Sequence, residues 1–183
     1  IIMVHMLGDA SRQNEILQIA KKNNIKVIDD SCESFGAKWN SEKLGIQADI
    51  TCWSFDAGKT IITGEGGMVT TNDKNLFLKV REYHDHGHEY SNDLQRGEEN
   101  ALLTGFNYRM TEVSAAIARE QLAKLPKLNR VRLDLVEQLK KGLKPFDFFR
   151  PLLGPSRCRE CNCTHNQECV STYYVFPIRY FSE

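Results

Sequence analysis

Cys52-Trp53-Ser54-Phe55-Asp56-Ala57-Gly58-Lys59-Thr60-Ile61-Ile62-Thr63-Gly64-Glu65-Gly66-Gly67-Met68-Val69-Thr70-Thr71 sets a serine and a lysine five positions apart between two apolar runs. The glycines at 64, 66 and 67 let the backbone turn where side chains would clash. A lysine in such a place does one of two jobs: it clamps a phosphate as a point charge, or it attacks a carbonyl carbon. A serine hydroxyl beside it can donate a hydrogen bond to an anion. The segment therefore reads as a phosphate-plus-carbonyl site on α/β scaffolding. The plainer reading is a strand, a polar loop with a solvated lysine and a hairpin-like return. A Walker A loop is excluded, because the lysine precedes the glycines.

Upstream, residues 1–4 read as a buried parallel strand, and Ser11 as the cap of a helix running to about Lys22 with Ile16, Ile19 and Ala20 turned inward. Asn23-Asn24 stops that helix, and residues 25–28 form the next strand. Strand, helix, strand is a βαβ unit with an expected right-handed crossover. Ligands of such sheets gather beyond the strand carboxyl ends, where Asp29, Asp30 and Glu33 fall. Residues 34–48 read as a connection without elements of its own.

Downstream, residues 50–55 and 68–71 are strands, and residues 74–83 a helix with Leu76, Phe77 and Val80 on one side. Residues 84–104 lack periodicity, and a loop of that length inside a compact domain is usually functional. Thr111 is a good N-cap for a helix with Val113, Ala116, Ile117 and Leu122 on its seam. Pro126 is expected to break it. A second helix over residues 127–141, with Leu128, Val131, Leu135 and Leu139 aligned, is expected to close at Gly142.

The 183 residues are 41% hydrophobic and 26% charged, which places the chain among globular proteins. Lysine plus arginine equals aspartate plus glutamate at 24 each, so nothing suggests a broad footprint for nucleic acid. No run approaches the roughly 18 apolar residues of a membrane span. Cys32 and Cys52 read as reduced core residues, and the absence of a regular cysteine framework suits the cytoplasm.

Three blocks carry a resemblance. They are Val27-Ile28-Asp29-Asp30-Ser31-Cys32-Glu33, the segment from Ser54 to Gly67, and Gly105-Phe106-Asn107-Tyr108-Arg109-Met110-Thr111-Glu112. In order and spacing, from about Val4 to Leu128, they resemble the pyridoxal-phosphate-dependent sugar aminotransferases of the DegT/DnrJ/EryC1/StrS family. The resemblance implies an α/β fold, the aspartate aminotransferase type I large domain with its mainly parallel sheet, followed by the start of a small C-terminal domain. Residues 1–125 would be part of the cofactor-binding large domain, 126–144 a linking helix, and 145–183 the start of the small domain. Members of the family are much longer, so this chain reads as an interior fragment of a longer one.

By the same resemblance Lys59 is the catalytic lysine, joined to pyridoxal 5'-phosphate through an imine and later moving a proton. Asp30 is the carboxylate on the pyridine nitrogen, which makes the ring an electron sink. The residues alone do not separate it from Asp29; the family pattern selects the second of the pair. Ser54 matches the phosphate-binding serine. Asn107 matches an asparagine that reaches the phosphate held by a neighbouring subunit, implying a homodimer with a shared active site. Arg109 belongs to the same motif, with no partner evident. Glu33 is a cofactor contact and a departure, because the family commonly has glutamine or histidine there. A glutamate either turns to a cation or alters the ring electronics.

No metal is expected. His84, His86 and His88 invite a metal reading, but they follow a helix and are interrupted by Gly87, and the family has a similar Asp-His-Gly without one. Tyr83 and His86 are pocket candidates instead. The cluster of Cys158, Cys161, Cys163 and Cys169 with His165 begins with C-x2-C spacing, but its next pair is too tight for a typical zinc site.

The implied function is transfer of an amino group from an amino acid, glutamate first among candidates, to a nucleotide-linked keto sugar for envelope polysaccharide or related amino-sugar synthesis. Two alternatives stand beside it. One is a sugar dehydratase using the same cofactor, although that branch carries histidine where this chain has Lys59. The other is a non-catalytic protein keeping the fold.

Overall fold

A computed structural model describes residues 1–101, 103–146, 149–151, 170–172 and 178–180. The cysteine cluster from Cys158 to Cys169 lies outside these residues. The centre is a four-stranded sheet of β1 (Ile2–Val4), β2 (Ile28–Asp30), β5 (Ile50–Ser54) and β6 (Gly67–Thr70), side by side in that order. β1, β2 and β5 run parallel, and β6 returns antiparallel to β5 with Ser54 opposite Gly67. The sheet is mixed and mostly parallel, as the resemblance implied.

Helix α1 (Gln13–Lys22) joins β1 to β2 and closes the first core cluster, Met3, Ala20 and Val27, with Ile16 and Leu17 at its edge. Ile19 points outward instead, at 56% exposure. Ser11 is not the cap: Arg12 holds that position, without a side-chain bond. The Ser11 N–H donates to His5 Nδ1 at 3.0 Å, so Ser11 belongs to the turn that seats His5. The helix does end at the asparagines, where Asn24 takes the left-handed conformation asparagine tolerates.

β2 begins at Ile28 rather than Ile25. The Ile25 N–H still caps the helix through Ala20 O at 2.9 Å, and Val27 N–H donates to the Asp49 carboxylate. Residues 34–48 are not featureless either. Strands β3 (Lys38–Trp39) and β4 (Glu42–Lys43) form a hairpin. Its two turn residues, Asn40 and Ser41, both have positive φ, the backbone twist that a two-residue hairpin turn requires.

A second cluster lies behind the Ser54–Lys59 segment. Phe35, Phe55 and Ile61 are buried, and Trp53, Met110 and Leu125 pack against them. Phe35 sits 4.7 Å from Trp53 and 5.8 Å from Phe55 between ring centroids, within the range of favourable aromatic pairs. Burying each such side chain stabilises the fold by roughly 1.5–3 kcal/mol. Ile61, two residues past Lys59, is thereby an anchor for the loop that carries the lysine.

Helix α2 (Lys74–His84) is capped by Asp73, whose carboxylate accepts from Asn75 N and Leu76 N. Helix α3 (Glu112–Leu143) begins as expected, with Thr111 accepting from Ser114 N. It then corrects the sequence reading, because it runs through Pro126 as one helix and through Gly142 to Leu143. Proline in a helix interior costs roughly 3 kcal/mol. Contacts on both sides of it oppose that cost: Leu125 packs on the second core cluster, Asn129 donates to Phe35 O at 2.8 Å, and Val136 is buried. The stripe Leu128, Val131, Leu135 and Leu139 faces outward instead.

Two short strands, β7 (Phe149–Pro151) and β8 (Ile178–Tyr180), pair antiparallel apart from the main sheet. Among the described residues no helix is long and apolar enough to cross a membrane.

Replacing Pro126 with alanine restores the missing backbone donor inside α3. The expected outcome is a gain of about 1–2 kcal/mol in denaturant-unfolding stability, with unchanged helical circular dichroism.

Candidate active site

Asp29 and Asp30 are consecutive on β2, so their side chains leave opposite faces of the sheet. Asp29 is fully buried. Its Oδ2 is 3.1 Å from His5 Nε2, and its Oδ1 accepts from Ser31 Oγ at 2.7 Å. Because His5 Nδ1 accepts from Ser11 N–H, the ring proton lies on Nε2 and donates to Asp29. Asp29 is committed to the scaffold. Asp30 is half-buried on the other face, paired in register with Cys52, and Ser54 follows two residues along that same face.

A run of bonds fixes the five-residue spacing from Ser54 to Lys59. Ser54 Oγ accepts from Asp56 N–H at 3.3 Å. Asp56 in turn accepts from Gly58 N–H through its carboxylate at 3.0 Å and from Lys59 N–H through its carbonyl at 2.9 Å. The Ser54 hydroxyl keeps its own proton to donate. The Lys59 Nζ lies 3.4 Å from Glu33 Oε1, with both side chains about four-fifths buried. Glu33 Oε2 accepts from Leu7 N–H at 2.7 Å. The carboxylate is thus paired with a cation, and that cation is Lys59 itself.

Cys32 and Cys52 are free and half-buried rather than core residues. Burial, then a hydrogen bond and charge from Asp30, push the Cys32 thiol up to about 12, while Lys59 acts weakly the other way. Burial, then Asp30 and Asp29, also raise the Cys52 thiol. Both thiols stay protonated and neutral around Asp30.

Sequence reasoning missed Arg132 and Thr172. Arg132 Nη1 donates to Thr60 Oγ1 at 2.9 Å, next to Lys59, and to Thr172 O at 3.5 Å. Thr172 N–H and Ser171 Oγ both donate to Gly8 O at 2.9 Å. The signal was present in α3. Leu125, Asn129, Arg132 and Val136 follow helical spacing, so two polar side chains stand on an inward apolar face.

Asn107 is exposed and lies on a separate structure, where residues 82–88 and 105–109 cross. Gly87 and Gly105 stand back to back: a Cβ on Gly87 would fall 1.8 Å from Leu103 O, and one on Gly105 would fall 2.4 Å from Gly87 N. Backbone bonds stitch the crossing, from Phe106 N to Tyr83 O, His86 N to Phe106 O and Tyr108 N to His84 O. Asp85 locks it. Its buried carboxylate accepts from Tyr90 Oη at 2.7 Å, from Arg96 at 2.6 Å and from Arg109, which is the partner the sequence did not reveal. Burial alone would raise this carboxyl, but Tyr90, Arg109 and Arg96 outweigh it and hold Asp85 well below the usual carboxylate range.

Tyr83, Phe106 and Tyr108 form an exposed aromatic group around Asn107. His86 packs edge-on to His88, which lies 3.3 Å from Glu99. Among the described residues no group of three metal-ligating side chains converges. An apolar hollow of about 1350 Å³ separates the sheet from α2, with Cys52, Met68, Phe77, Tyr83 and Arg109 on its walls.

Residues 1–170 match the sequence pattern of the DegT/DnrJ/EryC1/StrS aminotransferase family. The chain is 35% identical over 147 residues to GDP-perosamine synthase of Escherichia coli O157:H7, covering 78% of this chain and 38% of that protein. In structure it is similar to a Helicobacter pylori aminotransferase involved in the biosynthesis of pseudoaminic acid, with a TM-score of 0.84 and 25% identity, covering 99% of this chain and 45% of that one. It is also similar to E. coli GDP-4-keto-6-deoxy-D-mannose-3-dehydratase solved with bound hydrated pyridoxal phosphate, with a TM-score of 0.82 and 25% identity over all of this chain and 47% of that one. The chain thus spans less than half the length of the relatives it matches.

Two outcomes follow from the geometry. Asp85→Asn lowers stability by roughly 2 kcal/mol at neutral pH, measured by denaturant unfolding. Because the folded carboxyl sits below its unfolded value, the stability it adds is complete above about pH 4 and lost as pH falls, so the gap between the two proteins narrows on acidification. At pH 7.5 Cys32 is expected to have fewer than about 1 in 10⁴ thiols ionised. Mass mapping after brief iodoacetamide treatment of the folded protein should find it unlabelled.

Proposed function

We propose that this chain, which belongs to the DegT/DnrJ/EryC1/StrS aminotransferase family, is the lysine-bearing part of an enzyme that moves an amino group from an amino acid to a nucleotide-linked keto sugar. The observation that carries the reading is Lys59, fixed by the Asp56 turn and the Ile61 anchor at the strand ends where Asp30 and Ser54 share a face. The donor set fits pyridoxal phosphate: a carboxylate for a ring cation, a primary amine for a carbonyl, and a hydroxyl for a phosphate. When bound, that cofactor supplies an electron sink that stabilises a carbanion.

Asp30 would favour the protonated form of a bound pyridine ring, with neutral thiols beside it that add no competing anion. Ser54 donates its hydroxyl proton to the phosphate. Lys59 would hold the cofactor through its primary amine and, when that amine is free, would carry a proton to or from the donor or sugar carbon. Glutamate is the donor this reading favours.

The working unit of this reading is a homodimer with a shared site. Asn107 is exposed among Tyr83, Phe106 and Tyr108, aromatic residues 44–64% exposed, which suit burial against a second copy. The relatives' names, GDP-perosamine synthase among them, support an amino sugar destined for envelope polysaccharide. The free Cys32 and Cys52 thiols suit the reducing cytoplasm.

The test is full-length protein incubated with pyridoxal phosphate, reduced with borohydride and digested. A reduced cofactor on the peptide containing Lys59 is expected, together with amino-sugar formation from a nucleotide keto sugar and glutamate that Lys59→Ala abolishes. Loss of a sugar hydroxyl without net amination would instead establish the dehydratase reading.

A further inference from the structure

Glu33 uses both carboxylate oxygens: Oε2 accepts from Leu7 N–H at 2.7 Å, and Oε1 lies 3.4 Å from Lys59 Nζ. Leu7 has φ of 60°, a backbone conformation uncommon for a bulky residue and here tied down by that bond. The turn carrying it is fastened from the far side, where Thr172 Oγ1 donates to Gly8 O and to Glu33 O, both at 3.4 Å. A glutamine at 33 could still accept from Leu7 through its carbonyl. It would then turn only an amide NH2 toward Lys59, which offers an ammonium nothing. The negative charge therefore acts on the lysine.

We infer that Glu33 is a positioning residue for Lys59: it holds the side chain as an ammonium against the Met6–Gly8 turn whenever the lysine is not joined to a carbonyl, and so sets the pH above which Lys59 becomes a nucleophile. Reaction then requires one N–H bond of the ammonium to break, the proton passing to solvent and the electron pair staying on Nζ. Among the described residues, the groups near the pair include Asp30 and the Cys32 thiol from β2 and its following turn, the Cys52 thiol from β5, Asp56 on the lysine's own loop, and Arg132 reaching Thr60 from α3. Asp30 and Asp56 act in the same direction as Glu33, Arg132 opposes it, and the two thiols are neutral. Partial burial by itself would favour the neutral amine. Glu33, in direct contact, opposes that preference. The meaning of this for catalysis rests on the cofactor reading above, but the protonation of Lys59 is a property of the protein without cofactor.

The experiment is competitive labelling of the full-length protein, freed of cofactor, with acetic anhydride from about pH 6 to 11, the range spanning an ordinary lysine, read by peptide mass mapping. In the wild type the Lys59 midpoint is expected at or above those of exposed Lys21 and Lys22. In Glu33→Gln it falls by about one unit, roughly tenfold more label at neutral pH, while Lys21 and Lys22 are unmoved. An unchanged Lys59 midpoint in the folded variant overturns the proposal. So does a wild-type midpoint below those of Lys21 and Lys22, which needs no variant to fold. Borohydride trapping separates the two readings. A shifted midpoint with no cofactor on Lys59 removes the aminotransferase reading alone, and trapping with an unmoved midpoint removes the role of Glu33 alone.

Discussion

A strand can turn only every other side chain to one face, and the buried pair of Asp29 with His5 decides which carboxylate of β2 faces the site. Once Asp29 is committed to His5 and Ser31, Asp30 has to leave by the opposite face, beside Cys52 and Ser54. The parallel register of β2 on β5 then sets how far apart along the strands the Asp30 carboxylate and the Ser54 hydroxyl stand. A one-residue slip of β2 would exchange the faces of Asp29 and Asp30, and a slip of β5 would carry Ser54 off the face of Asp30. His5 is held in its tautomer by Ser11 N–H, so even the turn before α1 contributes to the orientation of Asp30.

The lysine is positioned by different means. Its backbone follows from the local Asp56 turn and from burial of Ile61, whereas its surroundings come from far along the chain: Arg132 on Thr60, Asn129 on Phe35 O, and Thr172 on Gly8 and Glu33. Helix α3 thus bears on the same loops that carry the chemistry. Its continuity through Pro126 follows from these contacts, since they lie on both sides of the proline and share one face.

Much of this was legible because it is local. The βαβ unit, the return strand after the glycines and the Thr111 cap are written in neighbouring residues, and so are the three blocks that carry the family resemblance. The misreadings have tertiary causes. Ile25 is claimed by the end of α1 and Val27 by Asp49, so β2 starts late. Proline's penalty at 126 is outweighed by packing that no window of sequence displays. The heptad-like stripe on α3 faces outward, because the inward face is the mixed one with Asn129 and Arg132. Asp29 and Asp30 were indistinguishable by type or spacing, and only the position of His5 tells them apart.

The crossing of Gly87 and Gly105 has one more consequence. Two backbones pressed together at a point with no room for a Cβ make a neck, and beyond it His88 bridges to Ala101 so that the residues between them form a closed excursion. Tyr90 and Arg96 reach back from the excursion to the Asp85 carboxylate, while the bonds of the crossing itself are made by residues 82–88 and 105–109. The crossing thus holds its register through its own backbone, and the excursion is fastened to it through side chains that meet at one carboxylate.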